Sequence, residues 1–137
     1  MKREQTVCVV DDDRAVRSLF CLTIESAGFR AQAFETGEEF LESLDPDSAA
    51  CLVLDYDLPG MNGLDVLECL RSKSIEVPVV FISGSEDPSL ATRAKKAGAW
   101  VYLPKTELSD PQVLIERIRA ALRERAGVSV GRFKQGS

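Results

Sequence analysis

The stretch that decides the fold is Cys51-Leu52-Val53-Leu54-Asp55-Tyr56-Asp57-Leu58-Pro59-Gly60. Its apolar run ends on the carboxylate of Asp55, and the chain then turns through Pro-Gly. Consecutive apolar residues predict a strand that is buried on both faces, as in parallel sheets, and ligand crevices lie beyond the carboxyl ends of such strands. Asp55 is therefore a candidate functional residue, although Asp is also favoured in turns because of its local hydrogen bonds.

The length and composition of the chain predict a single globular domain. It has 137 residues, of which 45% are hydrophobic and 28% charged, and this is the balance of an ordinary folded protein. No apolar run approaches the roughly 20 residues of a membrane span, and no signal-type segment follows the first residues. We therefore expect a cytoplasmic protein that does not act at a membrane.

Charge and residue usage exclude several classes of function. The net charge of -5 argues against direct nucleic-acid binding by this domain, since contacts with the phosphate backbone rely on clustered Lys and Arg. The four cysteines lie in apolar segments without a Cys-x-x-Cys pair, which indicates buried thiols rather than a disulfide or zinc framework. Because the chain has no histidine, histidine-based zinc sites and Ser-His or Cys-His catalysis are excluded.

Strand patterns and helix patterns alternate along the chain. The predicted strands are residues 6–10, 30–34, 50–55, 78–82 and 100–103, and the predicted helices are residues 13–27, 36–44, 63–74, 87–98 and 110–125. This order predicts a doubly wound α/β domain of flavodoxin-like type, whose five-stranded parallel sheet has the order 2-1-3-4-5 and helices on both faces. We place the domain in residues 1–125 and a flexible tail or linker in residues 126–137, where Gly, Ser and basic residues show no period.

The ends of the predicted strands bring acids, a hydroxyl and an amine to one edge of the sheet. These residues are Asp11, Asp12, Asp55, Ser83 and Lys105. Two carboxylates about 4 Å apart repel each other by on the order of 4 kcal/mol at an effective dielectric constant of about 20. A hard divalent cation such as Mg²⁺ compensates this charge, because it prefers oxygen ligands. A metal, a lysine and a hydroxyl around one carboxylate are typical of phosphoryl transfer.

Four motifs follow one another in the order and strand context of a known family. They are Val9-Val10-Asp11-Asp12-Asp13, Leu54-Asp55-Tyr56-Asp57-Leu58-Pro59-Gly60-Met61-Asn62-Gly63, Phe81-Ile82-Ser83-Gly84 and Gly98-Ala99-Trp100-Val101-Tyr102-Leu103-Pro104-Lys105. Over about residues 6–125 the chain resembles the receiver domain of two-component response regulators. The resemblance implies a phosphoacceptor switch, which is not an enzyme beyond catalysing its own phosphorylation and dephosphorylation.

The resemblance also implies a role for each acid. Asp55 would accept a phosphoryl group from the phosphohistidine of a sensor histidine kinase. Mg²⁺ would be bound directly by Asp12 and Asp55, and mostly through water by Asp11. The backbone carbonyl of Asp57 would complete the protein ligands. The side chain of Asp57 departs from the family's commonest pattern and places an additional acid beside the site, which would change the lifetime of the phosphoryl group in either direction.

The remaining site residues would recognise the phosphoryl group. The resemblance implies that Lys105, Ser83 and the amide of Gly84 contact its oxygens. Tyr102 would be the switch aromatic of the family, the alternative being an ordinary strand aromatic. The chain departs from the family's common Lys-Pro order after the lysine, since it has Thr106 there, and a cis bond after Lys105 is therefore not expected.

The implied output of phosphorylation is a change in a protein-binding surface. The usual contact face of the family consists of the fourth helix, the fifth strand and the last helix, and it would bind an unknown target protein or form a homodimer. The sequence leaves open whether the receiver stands alone, passes the phosphoryl group onward, or belongs to a DNA-binding regulator.

Parts of the sequence also suit two other functions. Asp55-Tyr56-Asp57 also suits a haloacid-dehalogenase-like phosphohydrolase, in which Asp55 is the nucleophile and Asp57 the general acid. The short chain leaves little room for the cap of such an enzyme, and Asp11 and Asp12 have no role there. A flavodoxin-like nucleotide binder would need a Gly-rich or Ser/Thr-rich loop after the first strand, where this chain has acids.

Overall fold

A five-stranded parallel sheet forms the centre of the protein. The structure, a computed structural model, describes residues 5–43 and 49–135, and for residues 126–135 it describes the backbone alone. The strands are β1 (Thr6–Val10), β2 (Arg30–Phe34), β3 (Ala49–Asp55), β4 (Val79–Ser83) and β5 (Val101–Pro104). Their order in the sheet is β2-β1-β3-β4-β5. The doubly wound fold and the strand order predicted from the sequence are therefore confirmed.

Helices follow the strands in alternation. They are α1 (Arg14–Ser26), α2 (Gly37–Ser43), α3 (Gly63–Ser72), α4 (Ser89–Lys96) and α5 (Pro111–Gln135), and a 3-10 helix at Lys105–Ser109 follows β5 directly. In the described part of the chain, no helix combines the length and apolar character that a membrane crossing needs.

The described element boundaries agree with the sequence prediction to within about two residues, except after β5. The 3-10 helix after β5 was not predicted. The last helix was expected to end near Arg125, but it continues to Gln135, because no proline interrupts it and its glycines only lower the helix propensity. The second helix was predicted to end near Leu44, which lies outside the described residues. The same holds for residues 1–4 of the predicted domain and residues 136–137 of the predicted tail.

The sheet separates two apolar cores, and β3 contributes to both. Leu52 and Leu54 lie in the core beneath α2, α3 and α4, whereas Cys51 and Val53 lie in the core beneath α1 and α5. Successive side chains of a strand point to opposite faces, so a strand covered on both faces needs apolar residues at every position. Burial on both faces therefore accounts for the continuous apolar run of residues 51–54.

Two arginines bind backbone carbonyls at the amino ends of the strands. The guanidinium of Arg71 donates to the carbonyls of Ile75, Val77 and Gly98, at N···O distances of 2.6, 3.1 and 2.6 Å. Arg125 donates to the first two carbonyls of β3, both at 3.2 Å. These charge-assisted hydrogen bonds connect α3 and α5 to the edge of the sheet that lies opposite the strand-end acids.

The connection from β3 to α3 is tightly packed. Asn62 caps α3 by accepting from the amide of Asp65 at 2.9 Å, and the Asp65 carboxylate accepts from the Asn62 amide at 3.0 Å. The amide of Gly63 donates to the Tyr56 carbonyl at 3.0 Å. A Cβ at residue 63 would lie 2.5 Å from the carbonyl oxygen of Asp55 and 2.8 Å from the Tyr56 Cα, so α3 can approach β3 only at a glycine.

The substitution Gly63→Ala should lower the free energy of unfolding by about 1–3 kcal/mol, because the new methyl group meets backbone atoms that cannot rotate away. Urea unfolding followed by the fluorescence of Trp100 measures this change. Gly84→Ala is the matched control, since a Cβ there would meet Lys105 Cδ at 3.6 Å, an ordinary contact. Equal stability of the two variants would contradict the close approach of α3 to β3.

Candidate functional site

Three carboxylates lie together at the carboxyl edge of the sheet. Asp11 and Asp12 follow β1, Asp55 ends β3, and the two strands are parallel neighbours. One oxygen from each carboxylate lies within 4.8 Å of the others. Asp11 and Asp55 are only 1% and 2% exposed, whereas Asp12 is exposed. The structure thus brings these acids together as a group that can hold a metal ion, and their individual roles stay predictions.

Asp11 is held on one side only. Its Oδ1 accepts from the amide of Asp13 at 2.9 Å, and Asp13 in turn caps α1 through the amides of Ala15 and Val16. Within the described residues, the buried Oδ2 of Asp11 has no hydrogen-bond partner. Burial raises the pKa of Asp11, while the Asp13 amide and Lys105 oppose this effect.

Asp55 lies between a lysine and a backbone amide. Lys105 Nζ is 3.3 Å from Asp55 Oδ2, and the amide of Asp57 donates to Asp55 Oδ1 at 3.3 Å. Burial raises the pKa of Asp55 to about 6, with a further contribution from the charge of Asp11. Burial alone would lower the pKa of Lys105, but the carboxylates of Asp55 and Asp11 outweigh burial and raise it. Lys105 therefore carries a full positive charge beside Asp55.

The end of β4 adds a hydroxyl and an amide beside this cluster. β4 is the neighbour of β3, with Ile82 opposite Asp55, so Ser83 follows at the same edge. Ser83 is 1% exposed, and its Oγ accepts from the amide of Ser85 at 2.8 Å. Gly84 is exposed and borders the aliphatic part of Lys105.

Asp57 and Tyr102 lie at the periphery of the site. Asp57 is exposed, and its charge contributes to the raised pKa of Lys105. The half-buried ring of Tyr102 stacks on Phe81 with a centroid distance of 6.2 Å and an angle of 26°, and Phe81 lies 6.2 Å from the ring of Tyr56. Ordinary strand aromatics make such contacts as well, so the switch role of Tyr102 stays a prediction.

Two contacts near the site were not predicted. Arg17 donates from α1 to the carbonyl of Asp11 at 2.9 Å, and Glu38 of α2 accepts from the amide of Met61 at 3.2 Å. Arg17 lies four residues after Asp13. Residues four apart share one face of a helix, so this spacing could have predicted that Arg17 lies near the acids. Glu38 and Met61 are 23 residues apart, and no local pattern connects them.

The donor set fits Mg²⁺. The three acids offer hard oxygen ligands, and one of these oxygens, Oδ2 of Asp11, is buried without a partner in the described part of the chain. Buried carboxylates crowded together with one lysine leave excess negative charge, which a divalent cation offsets. Asp12 is exposed, so the cluster opens to solvent on its side.

Comparisons with known proteins agree on one family. Residues 7–119 match the model of the response regulator receiver domain. Nodulation protein W of Bradyrhizobium diazoefficiens is 38% identical over 119 residues, which cover 87% of this chain and 52% of that protein. Response regulator protein TodT of Pseudomonas putida is 34% identical over 121 residues, which cover 88% of this chain and 52% of that protein. The chain therefore spans about half the length of these curated relatives.

Solved structures show the same similarity. The response regulator StyR superimposes with a TM-score of 0.84 at 38% identity, covering 98% of this chain and 67% of that chain. The crystal structure of FixJ-N superimposes with a TM-score of 0.78 at 32% identity, covering 89% of this chain and 96% of that chain. With the strand order and the strand-end acids already established, the chain belongs to the family of response regulator receiver domains of two-component systems.

Proposed function

We propose that this receiver domain accepts a phosphoryl group on Asp55 from the phosphohistidine of a sensor histidine kinase, and that Mg²⁺ is required. One observation carries the proposal. The carboxylate of Asp55 is 2% exposed at the end of β3, with Lys105 Nζ at 3.3 Å on one side and the oxygens of two further acids on the other. A single nucleophilic oxygen is thus surrounded by groups suited to binding a phosphoryl group and a cation.

In the reaction, a carboxylate oxygen of Asp55 attacks the phosphorus atom. A new O–P bond forms an acyl phosphate, while the P–N bond of the phosphohistidine, or the P–O bond of a small donor, breaks and its electron pair leaves with the imidazole or acetate. Lys105 binds a phosphoryl oxygen through its charge, and the amide of Gly84 donates to another. Asp55 must be ionised to attack; burial raises its pKa in the metal-free protein, and a bound cation would oppose this effect by favouring the carboxylate.

The carboxylates of Asp12 and Asp55 would hold Mg²⁺ directly, Asp11 would hold it mostly through water, and the backbone carbonyl of Asp57 would complete the protein ligands. When bound, the ion would neutralise the charge that develops on the phosphoryl oxygens. The exposed Asp12 leaves the ligand cluster open to solvent.

A hydrogen-bond series leads from the site to α4 and provides a route for the switch. Ser83 Oγ accepts from the Ser85 amide at 2.8 Å, and Ser85 Oγ accepts from the Asp87 amide at 3.1 Å. Asp87 accepts from the amide of Ser89, and its Oδ2 pairs with Arg93 at 3.1 Å. When Ser83 turns to donate to the phosphoryl group, the loop ahead of α4 rearranges.

The resulting change is expressed on the face formed by α4, β5 and α5. Tyr102 acts there as the switch aromatic, and the face binds a target protein or a second copy of the chain. The protein turns over no external phosphate ester, and catalyses only its own phosphorylation and dephosphorylation. The receiver domain proposed for residues 1–125 contains the whole family match at residues 7–119, and residues 126–137 are proposed as a tail or linker.

Acetyl phosphate with MgCl₂ should label the purified protein with one phosphoryl group per chain, because Asp55 is the single acceptor. Intact-protein mass spectrometry measures the label, and EDTA should suppress it. The same preparation should show no sustained turnover of p-nitrophenyl phosphate. Absence of labelling would overturn the proposal, and continuous ester hydrolysis would identify a phosphohydrolase instead.

A further inference from the structure

We propose that Glu38 is a positioning residue of the metal site, acting through the turn that carries the carbonyl of Asp57. The inference rests on the proposed function, in which that carbonyl is a ligand of Mg²⁺. Glu38 is not proposed as a ligand itself. It holds the backbone of the ligand-bearing turn from a different element of the fold.

The contact between Glu38 and the turn is close and specific. Glu38 Oε2 accepts from the amide of Met61 at 3.2 Å. A Cβ at residue 60 would lie 2.6 Å from the same oxygen, and Gly60 has a φ of +70°, a conformation that favours glycine. The Glu38 carboxylate therefore lies directly against the backbone of Gly60 and Met61, in space that only a glycine leaves open.

The start of α2 is itself fixed, so Glu38 is a firm point of attachment. The amide of Glu39 donates to Thr36 Oγ1 at 3.1 Å, and the Glu39 carboxylate accepts from the backbone amide just before Thr36 at 3.0 Å. Thr36 and Glu39 thus form a capping box that is closed one residue earlier than in its usual form. Gly37 is buried and its Cα faces Val66 of α3 so closely that a Cβ would collide with that side chain.

The turn from residue 57 to residue 62 is otherwise held at its ends. The amides of Leu58 and Gly63 both donate to the Tyr56 carbonyl at 3.0 Å. Glu38 adds a bond at Met61, just before the cap of α3, and this bond comes from outside the turn. A carbonyl ligand that is fixed before the ion arrives costs less conformational entropy on binding, so partners that fix a ligand contribute to metal affinity.

The test compares Glu38→Ala with Glu38→Gln, which keeps an oxygen that can accept from the Met61 amide. Mg²⁺ affinity, measured by isothermal titration calorimetry without phosphodonor, should fall about two- to tenfold in Glu38→Ala, as expected for loss of one hydrogen bond. Amide hydrogen exchange at Met61 in the metal-free protein should accelerate by a similar factor. The Mg²⁺ concentration that gives half-maximal acetyl phosphate labelling should rise, with the maximal labelling rate unchanged.

Glu38→Gln should stay close to the unmodified protein in all three measurements. Glu42→Gln, which removes the same charge from an exposed position on α2, is the control for long-range electrostatics. Equal loss of affinity in Glu38→Ala and Glu38→Gln would overturn the proposal, because charge alone would then explain the effect, and so would an unchanged affinity in Glu38→Ala. Failure of the unmodified protein to bind Mg²⁺ or to label would instead refute the proposed function.

Discussion

Replacement of Asp55 with asparagine should abolish labelling by acetyl phosphate. The amide of asparagine keeps the size of the side chain and an oxygen that can accept from the Asp57 amide, but it is not a nucleophile under these conditions. Its removal of one charge also relieves the repulsion with Asp11, so the variant should fold at least as well as the unmodified protein. Intact-protein mass spectrometry after incubation with acetyl phosphate and Mg²⁺ measures the result.

Asp57→Asn is the matched control for this experiment. Asp57 is exposed, and the substitution leaves its backbone carbonyl and amide in place. This variant should still be labelled with one group per chain, while the lifetime of the label changes. If Asp55→Asn were labelled to the same extent as Asp57→Asn, the acceptor would be another residue and the assignment of Asp55 would be wrong.

In the metal-free protein, the free energy of unfolding should decrease as the pH rises from about 4 to about 7. The pKa of Asp55 rises from 3.8 to about 6 on folding, so in this window the folded state binds more protons than the unfolded state. The stabilisation is complete below the unfolded pKa and is lost as the pH passes the folded one. This rise in the pKa of Asp55 corresponds to a change of at most about 3 kcal/mol in the free energy of unfolding. Urea unfolding at several pH values, followed by Trp100 fluorescence, measures the slope.

Saturating Mg²⁺ should reverse this loss near pH 7, because the ion binds the ionised carboxylates and only in the folded state. Asp11→Asn should raise the metal-free stability at pH 7, flatten the pH dependence and weaken the stabilisation by Mg²⁺. Its oxygen can keep the bond from the Asp13 amide, and the substitution removes the charge that raises the pKa of Asp55.

Asp13→Asn serves as the control for this series. It removes the same charge, and asparagine is as good a helix cap as aspartate. Metal-free stability and Mg²⁺ response should therefore change little in this variant. A pH slope in Asp11→Asn as steep as in Asp13→Asn would show that crowding of Asp11 and Asp55 does not destabilise the metal-free protein.

The sheet was predictable because its strands obey local rules. The run of residues 51–54 is apolar at every position, as burial on both faces requires. Polar and small apolar residues alternate at the start of β2, which lies at the edge of the sheet. The strand order then followed from the need to bring Asp11, Asp55, Ser83 and Lys105 to one edge, and the structure has that order.

Other features depend on contacts that no local pattern encodes. The bond from Glu38 to Met61 spans 23 residues and exists only after α2 and the turn have packed together. The 3-10 helix begins at Lys105 and includes Thr106, the residue that replaces the family's common proline. The sequence predicted that no cis bond follows Lys105, and none is present in the described residues, but it did not predict a helix there. The orphaned Oδ2 of Asp11 is likewise a property of packing, because burial and missing partners cannot be read from an Asp-Asp pair.

The arginines at the amino ends of the strands have a consequence for how this domain can diversify. Arg71 connects three carbonyls from the loops before β4 and β5, on the edge opposite the acids. The arginine contacts thus lie at the amino ends of the strands, and the clustered acids lie at the carboxyl ends. Substitutions among the acids therefore leave these arginine contacts in place, so the residues around Asp55 can vary while the amino ends of the strands stay connected.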